Sequence, residues 1–361
     1  MKLLDLNLKN YRNCGDISLD LNYDKIIIIG KNAQGKTNIL ESIYYLSALK
    51  SPRTSNIKDF VKFEEDNFNI KGTLHKSDTN IELEIDYTLD KPKQVKLNGL
   101  KTTPKNYKSA MTTVLFSTQD LLLLRGSPQD RRDWLDSAIS QIYPTHDERL
   151  SKYNKIRTQK NNLLKTSDIN LSLLEVFNEQ LVITGANIIF TRQKFLSELK
   201  KYALEKYKGI SNHEEFDFEY SFPYSEIDEI SDRLQKELKE RQAEEIARHQ
   251  SCVGPHRDDI SFYLDKKEAT KFASQGQQRT VVLALKLAEI ELISDKYGYN
   301  PILLLDDVLA ELDDLRQNYL LKSIDSNTQT IITSVDTLLF EPDFLRNVKI
   351  YNISNGKIID K

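Results

Sequence analysis

Apolar and polar residues alternate along much of the first 120 residues, which is the pattern of half-buried β-strands. The longest alternating run covers residues 81–89, and shorter runs contain Leu4, Leu6 and Leu8, then Ile17, Leu19 and Leu21. Asn98 and Gly99 separate two short apolar stretches, as a two-residue hairpin turn would. Residues 26–29 are apolar throughout, so we expect a central strand that is buried on both faces.

Between residues 130 and 250 the apolar positions recur at spacings of three, four and seven, which predicts helices throughout this zone. We expect helices near residues 130–142, 172–207 and 226–249. Spacings of this kind are typical of helices that pack on each other along their length. The zone is therefore predicted to form a short antiparallel helical arm.

After residue 252, helix and strand alternate again. We expect a helix over residues 280–293 and buried strands at 302–305 and 331–332. Because strand-rich zones flank the helical one, the pattern favours a single α/β core that is interrupted by an insertion. We assign residues 1–125 and 252–361 together to that core, and residues 126–251 to the inserted helical lobe.

The composition narrows the functional classes. Of 361 residues, 39% are hydrophobic and 29% are charged, and the net charge is −3, so a nucleic-acid site requires a local concentration of Lys and Arg. The longest apolar runs are too short to span a bilayer, and the N-terminal residues do not resemble a signal peptide. Cys14 and Cys252 are too few for a disulfide framework. We expect a cytoplasmic protein without a membrane partner.

The first candidate for chemistry fits the phosphate-loop pattern at every constrained position. It consists of Gly30, Lys31, Asn32, Ala33, Gln34, Gly35, Lys36 and Thr37. It follows the predicted strand at 26–29 and precedes a predicted helix, which is where such a loop must lie. Backbone N–H groups and the helix N-terminus would bind phosphates, Lys36 would reach the β- and γ-phosphates, and the Thr37 hydroxyl would bind Mg²⁺. The stretch predicts ATP and Mg²⁺ as cofactors.

The second candidate is a pair of carboxylates, Asp306 and Asp307, that directly follow the predicted buried strand at 302–305. Charges at such a position must be paired or must bind a metal. We expect Asp306 to hold Mg²⁺ and Asp307 to orient or deprotonate the attacking water. A strand end that is merely capped by solvated acids is the simpler alternative.

A third element, Ser274, Gly276 and Gln277, precedes the helix predicted over 280–293. A helix N-cap would by itself account for Ser274. However, the order of phosphate loop, helical insertion, serine-glycine-glutamine element and acidic strand is typical of ABC-type ATPases. In that class the serine-glycine element completes the nucleotide site of a second subunit. We therefore predict that Ser274, Gly276 and Gln277 act in trans in an ATP-dependent homodimer.

The stretch 149–165 carries cations and no acid, although the chain is net acidic. Its cations are Arg149, Lys152, Lys155, Arg157, Lys160 and Lys165. A solvated helix face is one interpretation. The other is a DNA contact that engages phosphates without reading bases.

Taken together, these motifs resemble those of the RecF family of bacterial recombination and repair proteins, which is related to SMC-type ATPases. The resemblance covers nearly the whole chain, and residues 254–259 together with 274–280 are its most specific part. Further matching segments are residues 8–13, 115–121 and 126–128, and Arg131 and Arg132. Thr118 and Gln119 stand where the family pattern has Pro-Glu, and Ala310 replaces its usual serine, which leaves the roles of Gln119 and Ala310 open.

The resemblance implies an ABC-type P-loop ATPase head, with a mixed sheet and flanking helices, and a helical lobe. It implies ATP-dependent binding of single-stranded, double-stranded or gapped DNA at gaps or stalled forks, with slow hydrolysis that resets the dimer. It also implies RecR and RecO as partners, a role in loading RecA, and the SOS response. Related ATPases suggest a nucleotide contact for Arg12, for which a solvated loop arginine is the alternative, and a Mg²⁺-sensing place for Gln119.

Two other function classes remain open from the sequence. The chain could be the ATPase head of another SMC-like repair machine with a nuclease or other partner, although such proteins carry far longer coiled coils. It could also be a transporter ATPase subunit, which would normally have a smaller insertion and membrane partners.

Overall fold

The computed structural model describes residues 1–211 and 213–359. Its strands in chain order are β1 (Lys2–Tyr11), β2 (Cys14–Asp20), β3 (Lys25–Ile29), β4 (Asn67–Lys76), β5 (Thr79–Thr88), β6 (Gln94–Leu97), β7 (Leu100–Lys101), β8 (Thr113–Ser117), β9 (Phe216–Tyr220), β10 (Ile260–Leu264), β11 (Lys267–Glu268), β12 (Ile302–Asp306), β13 (Thr330–Ser334), β14 (Val348–Ser354) and β15 (Lys357–Ile359). The strands predicted from alternation in the first 120 residues, at 302–305 and at 331–332 are confirmed.

The helices in chain order are α1 (Lys36–Ala48), α2 (Pro104–Lys108), α3 (Pro128–Ile142), α4 (Thr145–Leu164), α5 (Leu171–Ile210), α6 (Ile227–Glu240), α7 (Gln242–Arg248), α8 (Ala269–Phe272), α9 (Gln275–Tyr297), α10 (Asp314–Ser323) and α11 (Pro342–Leu345). Short 3-10 helices cover Ile57–Phe60, Asp120–Leu122 and Leu309–Glu311. Helix α9 contains the helix that was predicted over 280–293.

The chain folds as two compact units, Met1–Leu121 with Glu289–Lys361, and Leu122–Ala288. The insertion predicted from the sequence begins close to the observed boundary, but its predicted end at residue 251 is wrong by this division. Residues 252–288 belong to the second unit because β10 pairs antiparallel with β9, placing Phe262 opposite Phe218. The boundary falls inside α9, whose sequence continues across it.

The first unit contains two sheets. One is antiparallel, in the order β2-β1-β4-β5-β6-β7, and its β6–β7 turn is the predicted Asn98-Gly99 hairpin, with both residues at positive φ. The other has the order β15-β14-β3-β13-β12-β8, in which only β15 is antiparallel to its neighbour among the described strands. The central position of β3 explains why Ile26, Ile27 and Ile28 are fully buried.

Helix α1 packs against strands of both sheets, and most of its side chains are buried. Ile39, Ile43 and Leu46 join Leu3, Phe68 and Ile331 in one hydrophobic core. A helix that is enclosed by two sheets has no solvated face, so apolar residues occur all around it. This enclosure holds the N-terminus of α1, where the predicted phosphate loop ends, in a rigid setting.

The second unit contains the helical arm. Helix α3 starts at a capping box in which Ser127 and Asp130 bond reciprocally, and it ends before Pro144. Residues 165–170 connect α4 to α5, and Tyr153 and Ile156 of α4 pack on Leu181 and Ile188 of α5. The predicted helical arm is present. The expectation of helix throughout 130–250 is wrong over β9, because Phe216 and Phe218 alternate with acids and find a partner strand beyond residue 250.

Among the described residues, α5 is the one helix long and apolar enough to cross a membrane, with a mean hydropathy of 1.2 over its most apolar window. Part of its apolar surface faces neighbours, since Ala186 and Ile189 pack on Leu234 of α6, whereas Val176 and Ile183 are exposed. On the same helix Arg192 forms a buried ion pair with Asp136 at 2.8 Å. Packing inside the second unit therefore accounts for part of the apolar composition of α5.

Candidate nucleotide-binding site

The predicted phosphate loop opens into a pocket of about 540 Å³ at the carboxyl ends of β3, β12 and β8. Ligands of α/β proteins bind at this end of a parallel sheet. The lining residues all belong to the first unit: Asn13, Asn32, Ala33, Gln34, Gly35, Lys36, Thr37, Asn38, Leu40, Glu41, Pro52, Arg53, Leu115, Ser117, Thr118, Gln119, Asp306 and Asp307. The structure thus brings the phosphate loop together with both aspartates and Gln119, as the sequence predicts.

The phosphate loop is shaped by two residues at positive φ, Ala33 (63°) and Gly35 (109°), of which Gly35 is the N-cap of α1. This conformation turns the chain sharply from β3 into α1, and only the first residues of a helix have backbone N–H groups without intrahelical acceptors. The Lys36 side chain is 4% exposed, and its Nζ donates to the carbonyl oxygens of Gly30 at 2.9 Å and Lys31 at 3.4 Å. The loop therefore presents an anion-binding end together with a buried cation.

Asp306 lies at the end of β12 between two hydroxyls. Its Oδ1 accepts hydrogen bonds from Thr37 Oγ1 at 3.0 Å and from Thr333 Oγ1 at 2.8 Å. Burial raises the pKa of Asp306, and the charge of Asp307 adds to that shift, while the two hydroxyls and Arg53 oppose it. A carboxylate whose pKa is raised by burial is one that a bound cation would stabilise.

Asp307 has a left-handed backbone, with φ 50°, and its N–H donates to Thr333 Oγ1 at 2.9 Å. Its side chain is 34% exposed, and Oδ2 lies 3.7 Å from Lys36 Nζ. Thr333 thus holds both aspartates, one by donating and one by accepting. Thr333 was not predicted from the sequence, although parallel pairing of two buried strands places it directly beside Asp306.

The donor set fits Mg²⁺. Thr37, Asp306 and Gln119 offer hydroxyl, carboxylate and amide oxygens on one pocket, and hard divalent cations prefer oxygen ligands. Within the described ranges no three His, Cys, Asp or Glu side chains converge on one point. Mg²⁺ typically takes only one or two protein carboxylates and completes its shell with water and phosphate oxygens.

Arg12 is not one of the residues that line the pocket, but its partner Glu41 is. Its Nε and Nη2 donate to the two carboxylate oxygens of Glu41 at 2.9 and 2.8 Å, and its guanidinium lies over the Phe60 ring. Arg12 is therefore a paired arginine and not a solvated one, because Glu41 on α1 is buried and needs a cation, and its contact with the nucleotide stays a prediction. Arg53, which was not predicted from the sequence, lines the pocket and donates from Nη1 to Asn38 Oδ1 at 2.7 Å.

The predicted signature element lies in the second unit, where Ser274 caps α9. Gln277 N–H donates to Ser274 Oγ at 3.3 Å, and Ser274 N–H donates to Gln277 Oε1 at 2.7 Å, which is a reciprocal capping box. Gln277 Nε2 also donates to Glu214, whose other carboxylate oxygen accepts from Tyr207 Oη at the end of α5. Ser274 is therefore the N-cap of α9. The action of Ser274, Gly276 and Gln277 in trans stays a prediction.

The basic stretch forms α4, and its cations differ in exposure. Arg149, Lys152 and Lys155 are exposed, whereas Arg157 is half-buried. Lys160 is wholly buried and donates to Glu245 at 2.6 Å. Its predicted contact with DNA is wrong, because a helix that packs on neighbours must turn one side inward and Lys160 is on that side.

His256 in the motif at 254–259 is enclosed. Its Nδ1 bonds Tyr153 Oη at 2.7 Å, and its Nε2 lies 3.2 Å from the carbonyl oxygen of Ser251. Burial lowers the pKa of His256 to about 3. With both ring nitrogens in contact with partners, this histidine serves the packing of the second unit.

The family of the RecF/RecN/SMC N-terminal domain matches residues 2–358. The DNA replication and repair proteins RecF of Bacillus mycoides (strain KBAB4) and Bacillus cereus (strain B4264) are each 41% identical over 372 residues, which cover 99% of this chain and 98% of the relative.

Solved structures agree with this family. The recombination mediator protein RecF with ATPrS, in the RecFOR pathway, has a TM-score of 0.91 at 32% identity and covers 99% of this chain and 97% of its own. The corresponding RecF structure with ATP has a TM-score of 0.89 at the same identity and coverage.

A more distant structure shares the fold alone. The Smc head domain of Pyrococcus furiosus, with an extended coiled coil and the C-terminal domain of ScpA, has a TM-score of 0.54 at 15% identity and covers 99% of this chain and 96% of its own. The predicted ABC-type α/β head with an inserted helical lobe is confirmed. By sequence and by structure, the chain belongs to the RecF family, within the group that carries the RecF/RecN/SMC N-terminal domain.

Proposed function

We propose that the chain is an ATP-dependent DNA-binding protein of recombinational repair. The observation that carries this proposal is the convergence of Lys36, Thr37, Asp306 and Asp307 on one pocket beside a helix N-terminus. The relatives support it, since they are DNA replication and repair proteins and two solved RecF structures contain ATP or ATPrS.

Each group of site residues has its own role in binding or hydrolysing ATP. The N–H groups of the phosphate loop and of the first turn of α1 bind the β- and γ-phosphates. Lys36 exchanges its bonds to the loop carbonyls for phosphate oxygens, which neutralises part of their charge. Mg²⁺, held by Thr37 and Asp306, would offset further charge on the phosphates. Asp307 orients or deprotonates the attacking water from its partly exposed carboxylate.

ATP is also proposed to join two copies of the chain. Ser274, Gly276 and Gln277 would face the γ-phosphate in the partner's pocket, so that the nucleotide lies between the subunits. Ser274 is exposed at the start of α9, where the backbone N–H groups of Gln275 and Gly276 have no intrahelical acceptor and can bind an anion. Slow hydrolysis would then dissolve the dimer and act as a switch.

The proposed DNA surface is the exposed side of α4. Arg149, Lys152 and Lys155 lie there, with half-buried Arg157 at its margin. Neither Lys152 nor Lys155 makes an ion pair with any described residue, so both charges are available to phosphates. The proposal covers single-stranded, double-stranded and gapped DNA, since phosphate contacts do not read bases.

The resemblance extends the proposal to partners and cellular context. RecR and RecO are proposed to act with this chain at gaps or stalled forks and to assist the loading of RecA, which also supports the SOS response. The RecFOR pathway of the solved relatives supports RecO and RecR as partners. A cytoplasmic location follows from the same proposal.

Titration of the full chain with a fluorescent ATP analogue tests the site. Lys36→Met should abolish binding, because the cation that compensates phosphate charge is lost, while Lys9→Met removes an exposed cation from β1 and should bind normally. Asp307→Asn should bind ATP, fail to hydrolyse it and accumulate as a dimer in light scattering. Unchanged affinity of Lys36→Met would refute the site, and a monomeric Asp307→Asn with saturating ATP would refute the link between ATP and dimerisation.

A further inference from the structure

The β14–β15 hairpin ends in a tight turn, Asn355-Gly356, that contacts the phosphate loop. Gly356 N–H donates to the backbone oxygen of Gln34 at 2.9 Å. The Gln34 side chain also bonds the hairpin: its Oε1 accepts from Asn355 N–H at 2.6 Å and from Ser354 Oγ at 3.2 Å. The loop residue before Gly35 is therefore bonded to the hairpin through both its backbone and its side chain.

The two segments also approach each other closely. A Cβ on Gly30 would lie 2.6 Å from the carbonyl oxygen of Ile353, in β14. A Cβ on Gly356 would lie 2.2 Å from the carbonyl oxygen of Asn13, and Gly356 has φ 67°. Both distances are far below contact distance, so the hairpin can reach the loop only because glycine stands at these positions.

Asn13 closes the arrangement from the other side. Its Oδ1 accepts from Asn38 Nδ2 at 2.7 Å in the first turn of α1, and a Cβ on Gly35 would lie 2.9 Å from the same oxygen. The loop thus has the hairpin turn on one flank and the β1–β2 turn on another, while β3 and α1 hold its ends. At the loop these bonds use the carbonyl oxygen and the side-chain oxygen of Gln34, so they do not occupy the backbone N–H groups that would bind phosphates.

We propose that the β14–β15 hairpin is a positioning element of the nucleotide site, which holds the phosphate loop in its phosphate-binding conformation before ATP arrives. The inference rests on the proposed function, because it concerns the loop that would bind ATP. A loop with residues at positive φ, such as Ala33 and Gly35, loses conformational entropy when it is ordered. If the hairpin orders the loop during folding, the free energy of ATP binding is not reduced by the entropy cost of ordering the loop. Gln34 is then a positioning residue that acts through its bonds to the hairpin.

Two glycines in equivalent turns provide a matched test. Gly99 follows Asn98 in the β6–β7 turn as Gly356 follows Asn355, with φ values of 74° and 67°, but a Cβ on Gly99 would meet nothing within 4 Å. Gly99→Ala and Gly356→Ala therefore impose the same backbone strain, and only the second displaces the hairpin from Asn13. We expect the full chain with Gly99→Ala to bind a fluorescent ATP analogue as wild type does, and Gly356→Ala to bind it at least tenfold more weakly.

Hydrogen exchange of the backbone amides at residues 30–37, measured without nucleotide, reads the loop directly. Exchange should be faster in Gly356→Ala and in Gln34→Ala, which removes the acceptor of two hairpin bonds, and should stay at the wild-type rate in Gly99→Ala. Thermal unfolding of each variant shows that it is folded, and Gln34→Ala carries the test if Gly356→Ala does not fold. Wild-type exchange rates in folded Gly356→Ala and Gln34→Ala would overturn the proposal. Because this measurement needs no ATP, it decides the positioning role even if the wild type fails to bind ATP, which would refute the proposed function instead.

Discussion

The role of a buried charged side chain depends on the groups that it contacts, and Lys160 is an example. Lys160 and Glu245 are 0% and 1% exposed, and the second oxygen of Glu245 accepts from Cys252 N–H at 2.8 Å. Burial lowers the pKa of Lys160, while the carboxylate beside it opposes that shift. The pair ties α4 to α7 and to the chain that follows it, so its role is to hold the second unit together.

Removing one partner of this pair should be costly. Lys160→Met leaves the Glu245 carboxylate buried without a cation, which destabilises proteins by about 3–5 kcal/mol. Lys155→Met, on the exposed side of the same helix, should change stability by less than about 0.5 kcal/mol. Urea unfolding followed by the fluorescence of Trp134, the single tryptophan and a residue of the second unit, measures both. Equal stability of the two variants would contradict the structural role of Lys160.

A pH-dependent contribution is expected from Asp258. Its Oδ2 accepts from Tyr220 Oη at 2.6 Å, and burial raises its pKa to about 6 against the opposing effects of that bond, Arg192 and Arg132. Because the folded state holds this proton more tightly than the unfolded chain, the contribution is complete below the unfolded pKa of about 4 and is lost as the pH rises through 6.

Asp258→Asn removes that titration and keeps an acceptor for Tyr220. The stability of Asp258→Asn relative to wild type should therefore rise between pH 4 and pH 7, in urea unfolding followed through Trp134. Asp168→Asn, which changes an exposed acid of the same unit, should show no such trend. A constant difference between Asp258→Asn and wild type across this range would refute the raised pKa.

At the scale of elements, α4 shows two different sides. Tyr153, Ile156 and Lys160 face inward, while Lys152 and Lys155 are exposed one turn apart. Residues at this spacing lie on one face of a helix, so a duplex could meet both lysines at once. The exposed cations Arg149, Lys152 and Lys155, and not the whole basic stretch, are therefore the proposed phosphate contacts of α4.

Lys152→Gln with Lys155→Gln should weaken DNA binding equally for all sequences. Each lost phosphate contact should make the dependence of log affinity on log salt shallower by about one, so the double variant should lose about two. Gln preserves helix propensity. Lys236→Gln with Lys239→Gln on α6 is the control and should bind as wild type does.

A wild-type slope and affinity in the α4 double variant would move the DNA surface elsewhere. The next concentration of cations is in the antiparallel sheet of the first unit and the helix after it, where Lys91, Lys93, Lys96, Lys101, Lys105 and Lys108 occur. Lys96 is the least suitable of these, because it already forms ion pairs with Glu84 and Asp86.

At the scale of the whole molecule, the proposed dimer places each half of a nucleotide site on a different copy. Ser274→Arg should bind ATP almost normally, because the phosphate loop of the same chain is intact, and should fail to dimerise and to hydrolyse ATP. Mixing it with Lys36→Met should restore hydrolysis, since one hybrid site then pairs an intact loop with an intact serine. Hydrolysis and dimerisation of Ser274→Arg alone at wild-type levels would contradict the arrangement in trans.

The match to RecF relatives bears on the open alternatives at this scale. The chain aligns with 98% of the length of those relatives, whereas its 15% identity to the Smc head shows only a shared fold. A DNA repair protein of the RecF kind is thus favoured over the head of another SMC-like machine or a transporter subunit.

The sequence by itself determined the features that depend on neighbours along the chain. The phosphate loop between β3 and α1, the Asn98-Gly99 turn and the buried strand before Asp306 were all predictable. In each case the requirement is local: a positive φ, a free helix N-terminus or an apolar run that must be covered on both faces. The α/β class and the helical arm follow from the same periodicities.

Only the tertiary structure decided features that depend on distant partners. β9 is a strand because β10 pairs with it, and that pairing moves residues 252–288 into the second unit. Lys160 and Arg12 are not surface cations because Glu245 and Glu41 face them inside the fold. Thr333, Arg53 and the Asn355-Gly356 turn join the nucleotide site across large sequence separations. The spacing of apolar residues along the chain indicates which face of a helix or strand each side chain occupies. The segments that pack on that face are distant in sequence, so the local spacing does not indicate them.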